Sequence, residues 1–81
     1  MATKADLQDW LIAALDGVGG KAHHIKLAEK IWRSHEDDLR ESGALFYTWQ
    51  YDLRWAANRL RMRGVIKPAD VSPRGVWELA R

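Results

Sequence analysis

Short length combined with the absence of cysteine is the feature that most constrains this chain. It has 81 residues, none of which is cysteine. Neither a disulfide nor a thiolate metal site can hold the fold together, so a single hydrophobic core has to do so. The five tryptophans supply large side chains for such a core. We therefore expect one domain, over residues 1–81, built around aromatic and aliphatic side chains.

The apolar segments of the sequence are short, and this excludes several classes of protein. None is long enough to span a bilayer, and the first residues contain no apolar core of a signal peptide. We therefore expect a cytoplasmic protein without membrane contact. A domain of this size also leaves little room for a deep substrate pocket, which disfavours catalysis.

The first 20 residues predict an amphipathic helix. Apolar residues recur at the spacing of one helix face, and Thr3 and Asp6 form a shortened capping pair at its start. The glycines at 17, 19 and 20 are suited to end the helix. The residues of this predicted core face are Leu7, Trp10, Leu11, Ala14, Leu15 and Val18.

Two further helices are predicted in the middle of the chain. The second begins between His24 and Lys26, and Ser34 is placed to cap a further short turn of helix. Thr48 is the predicted cap of the third helix, which runs over about 48–63 and ends at Gly64.

Short strands are expected at 65–66 and 76–79, on either side of a polar segment that contains two prolines. Residues 21–24 form a connection that is compatible with one more strand. In the later strand, Trp77 and Leu79 are expected in the core, with Val76 half covered. The order of elements predicts a mostly α fold with a small β hairpin (α+β). It is typical of a winged helix-turn-helix, with three main helices and a two- or three-stranded wing sheet.

Charge is distributed unevenly along the chain. Residues 1–46 contain six Lys/Arg and eight Asp/Glu, whereas residues 47–81 contain seven and three. The first part therefore carries −2 and the second +4, although the whole chain carries only +2. A basic half favours a polyanionic partner.

The third helix has two distinct faces when its residues are placed on a helical wheel. Its core face is predicted to consist of Trp49, Leu53, Ala56, Ala57 and Leu60. The opposite face has the arginine, asparagine, glutamine and tyrosine side chains that contact base edges and phosphates. Lys67 and Arg74, in the predicted wing at 67–75, would hold the DNA backbone. The predicted contacts on the helix are Gln50, Tyr51, Arg54, Asn58 and Arg61. The competing interpretation is an ordinary solvated helix face, but Asp52 is the only acidic residue between Phe46 and Asp70.

Trp55 and Met62 lie off the core face of the third helix, beside Tyr51. One interpretation packs Trp55 under the wing or against the first helix. The alternative is an exposed apolar strip that binds a protein partner or forms a homodimer. The burial of Trp55 therefore distinguishes the two interpretations.

Several segments resemble the N-terminal domain of the Mrr family of restriction endonucleases. They are the 15–20 segment Leu-Asp-Gly-Val-Gly-Gly, the helical positions Trp55, Ala56 and Leu60, Gly64-Val65-Ile66, and the 74–79 segment Arg-Gly-Val-Trp-Glu-Leu. The resemblance extends over about 7–79. It implies a winged helix that binds double-stranded DNA, in a restriction-modification or transcription-regulation setting. It does not imply cleavage, because the family's nuclease is a separate domain.

No motif indicates an enzyme, a cofactor or a metal. His23 and His24 are adjacent, without a carboxylate-rich motif to complete a metal site. The carboxylates at 36–38 are consecutive, so a helix would spread them around its axis instead of aiming two at one cleft. We therefore predict a protein without catalytic activity, cofactor or metal.

Overall fold

A computed structural model of the chain describes residues 2–80. In chain order these form α1 (Asp6–Gly17), β1 (Lys21–His23), α2 (His24–Arg40), α3 (Leu45–Met62) and β2 (Val76–Glu78). Within the described residues the fold is therefore three helices and a two-stranded antiparallel sheet, and the predicted α+β class is confirmed.

Helix α1 buries most of the face that its periodicity predicts, whereas Trp10 and Val18 are half-buried. The predicted capping pair forms only in part: the backbone N–H of Thr3 donates to the Asp6 carboxylate at 2.8 Å, but the N-cap is Ala5, which makes no side-chain capping hydrogen bond. Gly19 and Gly20 have φ of +89° and +99°, and the N–H of Gly20 donates to the Leu15 carbonyl at 2.8 Å. Glycine tolerates this left-handed backbone without strain, which ends the helix. The fully buried α1 side chains are Leu7, Leu11, Ala14 and Leu15.

Helix α2 is one long element with a kink, where the sequence predicts a helix followed by a separate short turn of helix capped by Ser34. His35 has non-helical backbone angles (φ −131°, ψ 22°), directly after the predicted break at Ser34. The His35 ring stacks on Trp10 of α1, with ring centroids 3.8 Å apart. Leu27, Ile31 and Leu39 are buried on both sides of the kink, so the core holds both halves of the helix.

The predicted start of the third helix at Thr48 is wrong, because α3 begins three residues earlier, at Leu45. Gly43 adopts φ +72°, and its carbonyl accepts the N–H of Phe46 at 3.1 Å. The buried Leu45 also favours the earlier start. Thr48 therefore lies inside the helix, where its hydroxyl donates to the Asp52 carboxylate at 2.7 Å.

The sheet differs from the predicted hairpin, because β2 pairs with β1 over Lys21↔Glu78, Ala22↔Trp77 and His23↔Val76. The predicted strand at 65–66 contributes a single bridge, Ile66↔Leu79, together with the Lys67 N–H that donates to the Glu78 carbonyl at 2.8 Å. Pro68 has no N–H, so this ladder cannot extend into the loop.

The core lies where the three helices and the sheet meet. Trp49 and Trp77 are buried, whereas Trp10 and Trp32 are half-buried and pack against the core. Trp77 and Leu79 face inward, and Val76 is half covered, as predicted. Each buried Leu or Ile contributes about 1.5–3 kcal/mol, so this one cluster suffices for a fold without cross-links. No helix among residues 2–80 is both long enough and apolar enough to cross a membrane.

Candidate nucleic-acid interface

The two faces of α3 separate core residues from polar ones, as the helical wheel predicts. Its core-facing side chains are all buried, so the helix cannot rotate without exposing them. The side chains on the opposite face point to solvent, with Arg61 only partly exposed. The buried set is Trp49, Leu53, Ala56, Ala57 and Leu60. The exposed predicted contacts are Gln50, Tyr51, Arg54 and Asn58.

Four of the predicted contacts meet around one surface cleft of about 350 Å³, which we call the basic cleft. Three segments form it: the start of α2, the second half of α3 and the residues just before and within β2. Its lining consists of His24, Arg54, Asn58, Arg61, Arg74, Gly75 and Trp77. Among the described residues, three arginines and no carboxylate line the cleft, which makes it suited to an anion.

Hydrogen bonds hold Arg61 in position within the basic cleft. Its Nε donates to the Lys67 carbonyl and its Nη1 donates to Asn58 Oδ1, both at 3.2 Å. These bonds orient the guanidinium before any ligand arrives, which reduces the entropy lost on binding. The Asn58 amide group retains its N–H donors for a further partner.

His24 lies at the floor of the basic cleft and carries little positive charge at neutral pH. Partial burial lowers the pKa of its imidazole below the ordinary value of 6.5, and the His23 ring and the Arg54 guanidinium lower it further. Its ring centroid lies 5.6 Å from that of Trp77. His24 therefore acts at pH 7 as a neutral donor or acceptor beside the arginines.

Gly75 places Arg74 at the edge of the basic cleft. Its φ is +80°, and a Cβ at this position would lie 2.7 Å from His23 Nε2. Its carbonyl accepts the N–H of His24 at 2.9 Å. The loop before β2 is thereby attached to the start of α2, and only glycine fits there without displacing the His23 ring.

Lys67 does not line the basic cleft. Its ammonium pairs with the Glu78 carboxylate at 3.1 Å, and the Ser72 hydroxyl donates to the other Glu78 oxygen at 3.2 Å. The hydrogen bond from Lys67 is the main cause that lowers the pKa of the Glu78 carboxyl, and the bond from Ser72 adds to it, against partial desolvation. Lys67 stays a predicted phosphate contact, but its positive charge is already partly neutralised.

The strip of Tyr51, Trp55 and Met62 is partly covered. Trp55 is half-buried against the core, and its ring lies 4.3 Å from Lys4 Nζ and 5.9 Å from the Arg59 guanidinium. Tyr51 and Met62 are each 78% exposed. The Trp55 side chain is therefore neither fully buried nor fully exposed. One side of it packs against the core, and cations lie over the ring.

Three cleft residues, His24, Gly75 and Trp77, were not among the predicted contacts. In the sequence, residues 21–24 are compatible with a strand, but its partner was not predicted. Once β1 pairs with β2, the side chains of His24 and Trp77 line the same cleft as Arg54. Local periodicity does not reveal a pairing between segments so far apart in the chain.

Within residues 2–80, no group of three or more His, Cys, Asp or Glu side chains is arranged to hold a metal ion. No protein-family model, curated protein or solved structure matches the chain. The resemblance to the Mrr N-terminal domain therefore stays a prediction that rests on the residues that carry it. The geometry of the basic cleft is the main guide to function.

Proposed function

We propose that this protein is a winged-helix domain that binds double-stranded DNA and has no catalytic activity of its own. The observation that carries the proposal is the basic cleft. Arg54, Asn58 and Arg61 of α3 and Arg74 of the 67–75 loop, predicted separately as DNA contacts, line this one cleft, and no carboxylate does.

Helix α3 has the dimensions and side chains of a major-groove reader. The major groove admits one α-helix, and arginine recognises guanine while asparagine and glutamine recognise adenine. Gln50 and Tyr51 lie at the same exposed face as the cleft arginines, nearer the start of the helix. We propose that these residues contact bases while the cleft arginines hold phosphates and guanine edges.

The elements around α3 support a winged-helix arrangement. The 67–75 loop and β2 follow α3 and pack beside it, in the place of a wing, and β1 provides the paired strand. The 74–79 segment, which contains Arg74 and β2, also carries part of the resemblance to the Mrr N-terminal domain. Arg74 would then contact the backbone next to the groove that α3 enters.

A merely solvated helix face explains the arrangement less well. Such faces usually mix both signs of charge, but the one acidic residue of α3, Asp52, lies away from the cleft. Its carboxylate accepts the Thr48 hydroxyl at 2.7 Å and lies 3.9 Å from Lys4 Nζ. The exposed cations around the cleft thus have no acidic neighbour on their own helix face.

The experiment that tests the proposal is a titration of labelled duplex DNA at several salt concentrations. If the three cleft arginines neutralise phosphates, log affinity falls against log salt with a slope of about −2.7. Arg54→Ala and Arg61→Ala are each expected to weaken binding and to make the slope shallower by about 0.9. Arg33→Ala, which removes an exposed arginine of α2 outside the cleft, is the matched control and keeps full affinity. Binding that is insensitive to salt and to both cleft substitutions would refute the proposal.

A second candidate function is protein interaction through Tyr51, Trp55 and Met62. The observation that favours it is the 78% exposure of both Tyr51 and Met62 beside a half-buried tryptophan. If this strip forms a homodimer, sedimentation shows association that Met62→Ser weakens while DNA contacts of the cleft remain. A monomer at every concentration would exclude the homodimer.

A further inference from the structure

A second depression lies between α2 and α3, and three of its seven lining residues are aromatic. It has a volume of about 450 Å³, and we call it the aromatic groove. Trp32 lies 6.1 Å from Trp49 and 6.3 Å from Phe46 between ring centroids. Trp49 is buried, but Trp32 and Phe46 keep part of their rings open to solvent. The lining also includes Ile25, Ala28 and Gln50.

The aromatic groove adjoins the basic cleft along both helices. On α2, Ile25 of the groove directly follows His24 of the cleft. On α3, Gln50 of the groove lies one turn before Arg54 of the cleft, and side chains at this spacing are neighbours. A ligand chain held by the arginines therefore passes next to the rings.

Cations flank the aromatic groove at both of its ends. Arg54 lies at the end next to the basic cleft. At the other end, the Arg40 guanidinium lies 5.2 Å from the Trp32 ring centroid and 5.9 Å from that of Phe46, while its Nε also donates to Glu36 at 2.8 Å. The one carboxylate that lines the groove is Glu29. Rings between two cations are typical of surfaces that bind single-stranded nucleic acid.

We propose that the aromatic groove receives an unpaired DNA base next to the duplex held by the basic cleft. This inference rests on the proposed DNA-binding function and extends it to a junction between paired and unpaired DNA. The base would stack on Trp32 and Phe46, which accept any base because every base has an aromatic face. The Gln50 amide at the rim offers both a donor and an acceptor to the base edge.

A nucleic-acid strand fits this groove better than an apolar peptide does. An apolar helix would bury the groove but would bring no charge to Arg54. A strand places a phosphate at Arg54 and its base on the rings, so both are used, whereas Arg40 is already paired with Glu36 at 2.8 Å.

The test compares three DNA ligands: a blunt duplex, the same duplex with a short unpaired overhang, and that overhang without its bases. The abasic overhang keeps the phosphates, so it separates stacking from charge. We expect the overhang with bases to bind roughly 5- to 150-fold tighter than the abasic one, the range for one stacked base. Tryptophan fluorescence should be quenched by the overhang with bases only.

Protein variants complete the test. Trp32→Leu and Phe46→Leu keep apolar volume but remove a ring, and each is expected to lose the gain from the bases while blunt-duplex affinity stays unchanged. Trp10→Leu, at the half-buried ring stacked on His35, is the matched control and should keep the gain. Thermal melting verifies that all three variants fold. The comparison of the three DNA ligands uses the unaltered protein, so it tests the inference even if a variant does not fold.

Several outcomes would overturn the inference. Equal affinity for the overhang and its abasic form, with blunt-duplex binding intact, refutes base binding in the aromatic groove. The proposed function is unaffected by that result. A gain from bases that persists in both Trp32→Leu and Phe46→Leu places the base elsewhere. Self-association lost in Trp32→Leu would assign the groove to a second copy of the chain. Failure to bind the blunt duplex refutes the proposed function itself, and this inference with it.

Discussion

The basic cleft and the base of the 67–75 loop both present cations, but within residues 2–80 only the cleft cations lack acidic partners. Arg54, Arg61 and Arg74 line a cleft to which no carboxylate of this part of the chain contributes. Lys67, a few residues from Arg74, is paired with Glu78 at 3.1 Å. The comparison shows that the charge count of a segment does not measure its capacity to bind an anion. Local pairing decides which cations can exchange their counterions for phosphates.

The largest expected effect comes from removing two cleft arginines together. Arg54→Ala/Arg61→Ala should weaken duplex binding by more than about 100-fold, because a hydrogen bond to a charged group contributes about 1.5–3 kcal/mol. The salt slope should become shallower by about 1.8. Fluorescence anisotropy at several salt concentrations measures both. An unchanged slope would show that these arginines do not neutralise phosphates.

A smaller loss is expected at the edge of the cleft. Arg74→Ala should cost about tenfold in affinity, the low end for a charged hydrogen bond, because its side chain is exposed in a loop. Arg74→Lys is the control: it keeps the charge and the salt slope but loses the planar fork. If both variants bind like the unaltered chain, Arg74 does not contact the backbone.

Features that depend on residues within one segment were predicted correctly from the sequence, whereas features that depend on contacts between distant segments were not. The core faces of α1 and α3 and the burial of Trp77 and Leu79 follow from periodicity within each segment, and they are confirmed. The pairing of β1 with β2 joins segments far apart, and three-residue strands are too short to show their partner. The basic cleft depends on that pairing, so sequence alone predicts the α3 contacts but not their meeting with His24.

The pairing of Lys67 was missed although the predicted hairpin implies it. Strands at 65–66 and 76–79 would bring Lys67 close to Glu78, but Lys67 was predicted as a phosphate contact without a partner. The Ile66↔Leu79 bridge brings them together. The error in the start of α3 is local instead: Thr48 has the chemistry of a cap, but Gly43 and the buried Leu45 let the helix begin earlier.

Breaking the Lys67–Glu78 pair should leave Lys67 without an acidic partner, like the arginines of the basic cleft. Glu78→Gln removes the negative charge, so Lys67 becomes available and duplex affinity should rise by about 1.5- to 5-fold, the value of an exposed ion pair. The salt slope should steepen by up to about 0.9. The same titration reports both, and Glu41→Gln, at an exposed carboxylate that lines neither the cleft nor the aromatic groove, is the control. A loss of affinity would contradict the comparison.

The smallest effect is expected from His24. Its lowered pKa keeps it largely neutral at pH 7, so acidification below 6.5 adds a positive charge to the cleft. Affinity should rise by less than about threefold between pH 7.5 and 5.5, because one added charge in a cleft open to solvent gains little from screened attraction. His24→Gln should abolish this part of the pH dependence.

Stability should change in the opposite direction over the same interval. The unfolded chain binds a proton at His24 near pH 6.5, whereas the folded chain does so only at lower pH, so the free energy of unfolding falls as pH decreases. Denaturant titration at pH 7.5 and 5.5 measures it. Affinity and stability that both rise on acidification would contradict the role given to His24.

The hydrogen bond from the His24 N–H to the Gly75 carbonyl has a thermodynamic consequence. It joins two parts of the basic cleft that are distant in the chain, so the cleft exists only once the whole domain has folded. Any ligand of the cleft therefore acts as a folding ligand: at 100 times its Kd it adds about 2.7 kcal/mol to the free energy of unfolding. Ligand binding to the basic cleft can therefore be measured as a rise in melting temperature, without a label on the protein or the ligand.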